Sequence, residues 1–437
     1  MRCITLVCIC GMIITGRLPA RAEEQQPGTV GEATVTIPRS EWEAIKDRLA
    51  ALEKQLAELK QKIAPSPAGK PGEVPPAPPS VAGTGPPPAE AQPPTAPTAP
   101  AGGKYLALPD ISLIVQAKGK ASSDTRDDAR NRIRLSEAEL GIQGYVYPNV
   151  KADAFITMSP EEGESAHVEE AYLTYLGLRK GLNLYVGEKH VAFGRTNLLH
   201  NHSWLYVRPP LALRNLVAEE SLAGEGIEAS CLLPTKGNLF AQLDLGMWTG
   251  QGPDEATQLP DILVGPSAGF SDKFNTARLW ASHPLGENNE LEWGGSYARG
   301  SAEGFAAPGS GHATLTGLDV TYRHFGEANS RLLLRGESIW RREENDLGGS
   351  TAKGYYLFAN SRRDKYSSMG LLWDWSEFPQ APELHESALS LIWTKQFSEQ
   401  YYLRLQAIHG ARPGDNSYNE LLLQWVWGVG PHTHNLE

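Results

Sequence analysis

Between Asp110 and Gly428, apolar and polar residues alternate with a period of two in sixteen short runs. That is the spacing of side chains that point to opposite faces of a strand. In residues 239–247, Leu239, Ala241, Leu243, Leu245 and Met247 share one face, and Gln242, Asp244 and Gly246 the other. Residues 290–297 set Leu291, Trp293 and Tyr297 against Glu290, Glu292 and Ser296, and residues 421–427 set Leu421, Leu423, Trp425 and Trp427 against Leu422, Gln424 and Val426. The connections alternate in length. The short ones are 147–149, 177–181, 234–237, 283–288, 325–329, 361–365 and 397–399. The long ones are 119–131, 158–166, 188–223, 248–271, 299–311, 341–352, 376–384 and 410–418. This sorting predicts an all-β transmembrane antiparallel β-barrel of about 16 strands, with tight periplasmic turns and longer outer loops. Trp280, Trp293, Trp340, Trp373, Trp375, Trp393, Trp425 and Trp427 fall within or at the ends of predicted strands, where barrels carry aromatic girdles. No apolar stretch reaches 18 residues, so no ordinary transmembrane helix is expected.

The ends of the chain read differently. Residues 1–22 form a secretory signal, with Arg2, an apolar run and the cleavage site Ala20-Arg21-Ala22, and residues 23–39 an N-terminal segment. Three of the four cysteines leave with the signal. Cys231 remains, on the apolar face of its strand beside Ile227 and Ala229, as an inert thiol without a disulfide. Loss of Arg2, Arg17 and Arg21 leaves 37 basic against 51 acidic residues, a net charge of −14 that disfavours nucleic acid as a partner. Residues 40–63 predict a short α-helical coiled coil: Trp42, Ile45, Leu49, Leu52, Leu56, Leu59 and Ile63 step by 3 and 4, behind a Ser40/Glu43 capping box. In a parallel assembly Glu41 meets Lys46 and Arg48 meets Glu53, both attractive. A helix packed on its own barrel would want a wider apolar stripe, so self-association is expected. Residues 64–103 hold 14 prolines and form a Pro-rich linker. At ~3.1 Å per residue it reaches on the order of 120 Å. The barrel is expected to occupy 104–437.

Three segments carry a likeness to known proteins. They are Arg-Ile-Arg-Leu-Ser-Glu-Ala-Glu-Leu-Gly-Ile-Gln-Gly at 132–144, Val-Glu-Glu-Ala-Tyr-Leu-Thr-Tyr at 168–175, and Leu-Tyr-Val-Gly-Glu-Lys-His-Val-Ala-Phe-Gly at 184–194. In these, the first third of the barrel resembles the phosphate-selective porin O/P-like family of Gram-negative outer membranes. Ala192 stands where that family has proline, and the sequence ends Asn-Leu-Glu437 rather than in the terminal aromatic used by the barrel-assembly machinery. The resemblance implies a passive channel for small hydrophilic solutes in the lipid of the outer membrane. It implies a homo-oligomer, a trimer by likeness to porins that carry such coiled coils, with the coiled coil in the periplasm. The family name implies phosphate, but no lysine cluster carries that specificity over, so the solute stays open.

The longest connection, 188–223, is the third long loop, which in sixteen-stranded porins folds inward and narrows the pore. Its apolar residues, among them Leu198, Leu199, Trp204, Leu205, Tyr206, Val207, Leu211, Leu213, Leu216 and Val217, want burial. Lys189, Arg195, Arg208 and Arg214 are the candidate pore constriction, weakly favouring anions through their local field. The competing reading is a lid whose arginines pair with wall carboxylates such as Glu228 or Asp244. His200 and His202, with His190 nearby, and His432 with His434, are weak metal signals. They read as Asn-flanked surface histidines, and neither a metal nor a cofactor is assigned. No catalytic motif is present, and Glu137/Glu139 and Glu290/Glu292 read as lumen-facing pairs rather than catalytic ones. The alternatives to a channel are a non-conducting outer-membrane structural, tethering or binding protein and a secreted soluble β-rich binding protein.

Overall fold

The computed structural model describes residues 108–431, apart from 126, 128–129, 160–165, 219, 251–268, 303–310, 346–347 and 415. The signal, N-terminal segment, coiled coil, linker and the His432/His434 pair lie outside the described residues.

Sixteen strands follow one another: β1 (Asp110–Ser122), β2 (Arg132–Tyr147), β3 (Val150–Met158), β4 (His167–Arg179), β5 (Leu182–His190), β6 (Ala223–Leu232), β7 (Phe240–Thr249) and β8 (Lys273–Pro284). The second half is β9 (Asn289–Ala302), β10 (Gly311–Phe325), β11 (Arg331–Asn345), β12 (Gly348–Asp364), β13 (Ser367–Phe378), β14 (Ala381–Ser398), β15 (Tyr401–Arg412) and β16 (Asn416–Val429). Each pairs antiparallel with the next, and β16 closes on β1 from Leu113 opposite Val429 to Ser122 opposite Glu420. Closure leaves no unpaired edge, the condition for strands to cross a membrane.

The expected faces are present. Met247, Trp293, Tyr297, Leu421, Trp425 and Trp427 lie exposed on the outer face, while Asp244, Glu292, Ser296 and Gln424 are buried inside. In β10, Leu318 and Val320 point out, and Asp319, Thr321 and Arg323 point in. Trp340, Trp373 and Trp393 join the exposed outer aromatics.

The alternation of loop lengths holds only part of the way round. Residues 191–222 and 250–272 are long, but the connections expected at 341–352, 376–384 and 410–418 shrink to 346–347, 379–380 and 413–415. The strands run on instead. Arg341 and Glu343 are buried within the barrel while Arg342 and Glu344 are exposed outside it. A strand that extends beyond the apolar band is polar on both faces, and that two-sided polarity reads in sequence as a loop.

Candidate functional site

The longest connection folds into the barrel as expected, with shifted ends. Lys189 and His190 complete β5, so the loop proper is residues 191–222. Asn197 ties its neck: its Nδ2 donates to the carbonyls of Val191 and Leu222, each at 3.0 Å, and Leu222 N–H donates back to Oδ1 at 2.6 Å. Gly194 turns the chain inward at φ +62, where a Cβ would sit 2.6 Å from Glu337 Oε2. That close approach lets Glu337 Oε1 accept from Arg195 N–H at 3.1 Å, Thr196 N–H at 3.0 Å and Tyr356 O–H at 2.9 Å. Two short 3-10 turns follow, Thr196–Leu198 and Asn201–Ser203, and then helix α1, Leu211–Leu216.

One flank of the loop is a greasy dock. Phe193, Leu199, Trp204, Tyr206, Leu213 and Leu216 are buried with Leu315, Leu333, Ile339, Tyr356, Phe358, Leu372 and Ile392 of β10 to β14. Full burial of such side chains contributes about 1.5–3 kcal/mol each. Gly354 makes room for α1, since a Cβ there would lie 2.9 Å from the Cβ of Ala212. Single polar wall groups catch the loop's backbone. Asp374 accepts from Leu211 N–H at 3.1 Å, Gln406 accepts from Val207 and Arg208 N–H at 2.7 and 3.0 Å, and Arg341 donates to Leu216 O at 3.2 Å. Tyr402 O–H and Arg404 donate to the carbonyls of His202 and Trp204.

The four predicted cations all face carboxylates, spread around the wall rather than gathered at one point. Lys189 meets Glu228 at 3.1 Å, Arg195 meets Glu292 at 3.1 Å, and Arg214 meets Glu386 at 2.7 Å. Arg208 lies 3.7 Å from both Asp374 and Glu420 and donates to Tyr418 Oη at 2.9 Å. The arginines therefore pair with Glu292, Asp374, Glu420 and Glu386, not with Glu228 or Asp244. Asp244 instead accepts from Ser230 and Gln242.

The opposite flank is mainly polar, with the buried Phe155 ring edge-on to His200 at 5.2 Å. His200 and His202 are not surface residues: their relative exposures are 2% and 6%, because the loop carries them inward against β2 and β4. His200 Nδ1 lies 3.0 Å from Glu139 Oε2 and 3.1 Å from Glu169 Oε1, and its Nε2 lies 2.8 Å from Glu170 Oε2. Two successive glutamates reach one imidazole because the β3–β4 register slips there. Phe155 opposes Glu170 and Ile156 opposes Val168, leaving Glu169 as the extra residue of a bulge. His190 Nε2 stands 3.6 Å from Glu169, His202 Nδ1 stands 3.6 Å from Glu139, and Asn201 donates to Glu137. Burial alone would push the His200 imidazole down, but the charge of Glu169 and hydrogen bonds to Glu139, Glu169 and Glu170 hold it well above the ordinary range. Three sets bring their donor atoms within 4.8 Å of one another: Glu139/His200/His202, Glu169/His190/His200 and Glu137/Glu139/Glu169. These residues could hold a metal ion. Sequence reading missed Glu169 and Glu170, whose tandem placement in a strand breaks the period of two and was the available signal.

No family model matches the chain. A protein of Aquifex aeolicus (strain VF5), described as uncharacterized, is 28% identical over 279 residues, 54% of this chain and 56% of that relative, so the chain spans about half of that relative's length. Among solved structures, an anion-selective porin from Comamonas acidovorans superposes with a TM-score of 0.52 at 11% identity, covering 74% of this chain and 99% of that one. A loop-deletion mutant of OmpT, an outer membrane protein of Vibrio cholerae, gives a TM-score of 0.50 at 10% identity, with 74% and 99% covered. At these identities the likeness is one of fold: this chain has the sixteen-stranded barrel of outer-membrane porins.

Proposed function

We propose that the protein is an outer-membrane porin of a Gram-negative cell, a passive channel for small hydrophilic solutes whose third loop forms the constriction. The observation that carries this reading is the closed barrel, apolar outside and charged inside, with residues 191–222 folded into its lumen. A slight preference for anions is the finer part of the proposal. Arg195, Arg208 and Arg214 enter the lumen on the loop, and a guanidinium stays charged at physiological pH. The preference is slight because each is matched by a carboxylate. The likeness at residues 132–194 to phosphate-selective porins supports the class of channel and leaves the solute open. The remaining expectations, a signal at 1–22 and a periplasmic coiled coil at 40–63 holding a trimer, belong to the same proposal. Leu49→Asp with Leu56→Asp would put charges into the seam and is expected to abolish crosslinked oligomers of the full-length protein.

Planar-bilayer recording under a KCl gradient tests the channel. The expected result is a conducting barrel whose reversal potential is weakly anion-selective and shifts toward cations in Arg208→Glu. A mutant with the parent's reversal potential would show that Arg208 does not set the filter. A second reading, a non-conducting structural or tethering barrel, is favoured by how closely the loop fills the lumen: inward-facing Asp374, Glu386, Gln406 and Gln424 have no exposed surface. Absence of conductance in folded, heat-modifiable protein would decide for it.

A further inference from the structure

Around His200, imidazole and carboxylate donor atoms come within reach of one ion: those of Glu139, His200 and His202 lie within 4.8 Å of one another, as do those of Glu169, His190 and His200. Nδ1 of His200 lies 3.0 Å from Glu139 and 3.1 Å from Glu169, while His202 and His190 stand 3.6 Å from those same two carboxylates. A tetrahedral ion bonded at about 2.0–2.1 Å holds its donors about 3.3–3.4 Å apart, in the middle of that range. The shell behind is built as well. Glu170 sits 2.8 Å from His200 Nε2, the carboxylate–imidazole arrangement that fixes a ligating ring, and all of these residues except the half-buried Glu169 are buried. His190 closes the side toward β5: its Nε2 stands 3.6 Å from Glu169 Oε1 and 2.8 Å from Ser221 Oγ.

We propose that Glu139, Glu169 and His200, with His202 as the fourth donor, bind one divalent transition-metal ion, Zn2+ by donor type, which fastens the third loop to β2 and β4. Imidazole nitrogen mixed with carboxylate oxygen suits Zn2+ and its neighbours, whereas Ca2+ and Mg2+ want oxygen alone. On binding, the ion takes the place at Nδ1 of the proton that His200 shares with Glu139 and Glu169, and that proton goes to solvent. Nε2–H keeps its bond to Glu170. The site joins three separate stretches of chain: His200 and His202 ride on the loop, and Glu139 and Glu169 come from two strands of the wall. It stands whether or not the barrel conducts.

Full-length protein folded in detergent, stripped with EDTA and dialysed against Zn2+, Ca2+ or Mg2+ is the material for the test, with bound metal read by plasma mass spectrometry. One Zn2+ per chain and no retained Ca2+ or Mg2+ is the expected result. Co2+ in its place should show visible absorption of a site with nitrogen and oxygen ligands. Glu169→Gln and His202→Gln, each near-isosteric and each checked for folding by heat-modifiable migration, should weaken Zn2+ binding by at least about tenfold. His432→Gln with His434→Gln should leave it unchanged. Folded parent protein that retains no Zn2+ overturns the proposal, as does zinc that survives Glu169→Gln and His202→Gln but is lost from the His432/His434 variant.

Discussion

The third loop is held on two sides by unlike means. Against β10 to β15 it lays down Phe193, Trp204, Tyr206, Leu213 and Leu216 on a mostly apolar wall, with single polar groups catching its backbone and Asp374 and Glu386 facing its arginines. Against β2 and β4 it presents His200, Asn201 and His202 to Glu137, Glu139, Glu169 and Glu170. The first dock follows from the hydrophobic effect and would form with any apolar residues of suitable volume. The second cannot. Buried carboxylates cost free energy unless a proton, a cation or hydrogen bonds meet them, so its stability depends on what occupies it. The apolar flank also holds ion pairs, but there each loop arginine brings its own counter-charge, as Arg214 does to Glu386, so that anchor is fixed and the histidine flank is the conditional one.

The largest expected effect falls on the fixed anchor. Phe193→Ala should cost about 3–5 kcal/mol, by the same amount with and without zinc, as read from denaturant unfolding of the barrel in lipid vesicles. A cost that changed with zinc would mean that the two docks are not separate. The conditional anchor comes next. At zinc a hundredfold above its dissociation constant, EDTA should lower parent stability by about 2.7 kcal/mol and leave His200→Gln unaffected. An equal response of both proteins would remove His200 from the anchor. The smallest change is Gly354→Ala, which drives a methyl into Ala212 of α1 and should cost about 1–3 kcal/mol through overpacking. Protease accessibility of the loop would check it, and unchanged protection would show that α1 can shift away freely. As a control outside both docks, Leu318→Arg on the exposed outer face of β10 should cost up to about 2–4 kcal/mol, the full figure applying to a midplane position.

The barrel was legible because period two is a strong and repeated signal, and Leu291, Trp293 and Tyr297 against Glu292 and Ser296 state it plainly. The greasy dock was legible too, since a loop rich in leucine and tryptophan has to bury itself somewhere. Boundaries were lost where the strands outrun the apolar band, as at Arg341 to Glu344, because both faces turn polar there. The partners of the arginines were not legible. Arg214 meets Glu386 across 172 positions of sequence, and only the inward folding of the loop, which seats α1 on the wall, brings them together. The histidine cluster was misread for the same reason and one more: the bulge that turns both Glu169 and Glu170 inward is a property of register, which strict alternation conceals.

Single-channel conductance in planar bilayers tests most directly whether this loop is the constriction. The parent is compared with a variant whose residues 195–217 are replaced by a short Gly/Ser connection, both shown to be folded by heat-modifiable migration. A clear rise in unit conductance on shortening the loop is expected, because the segment that fills the lumen is gone. Equal conductance in the two proteins would contradict the account and place the constriction elsewhere on the wall.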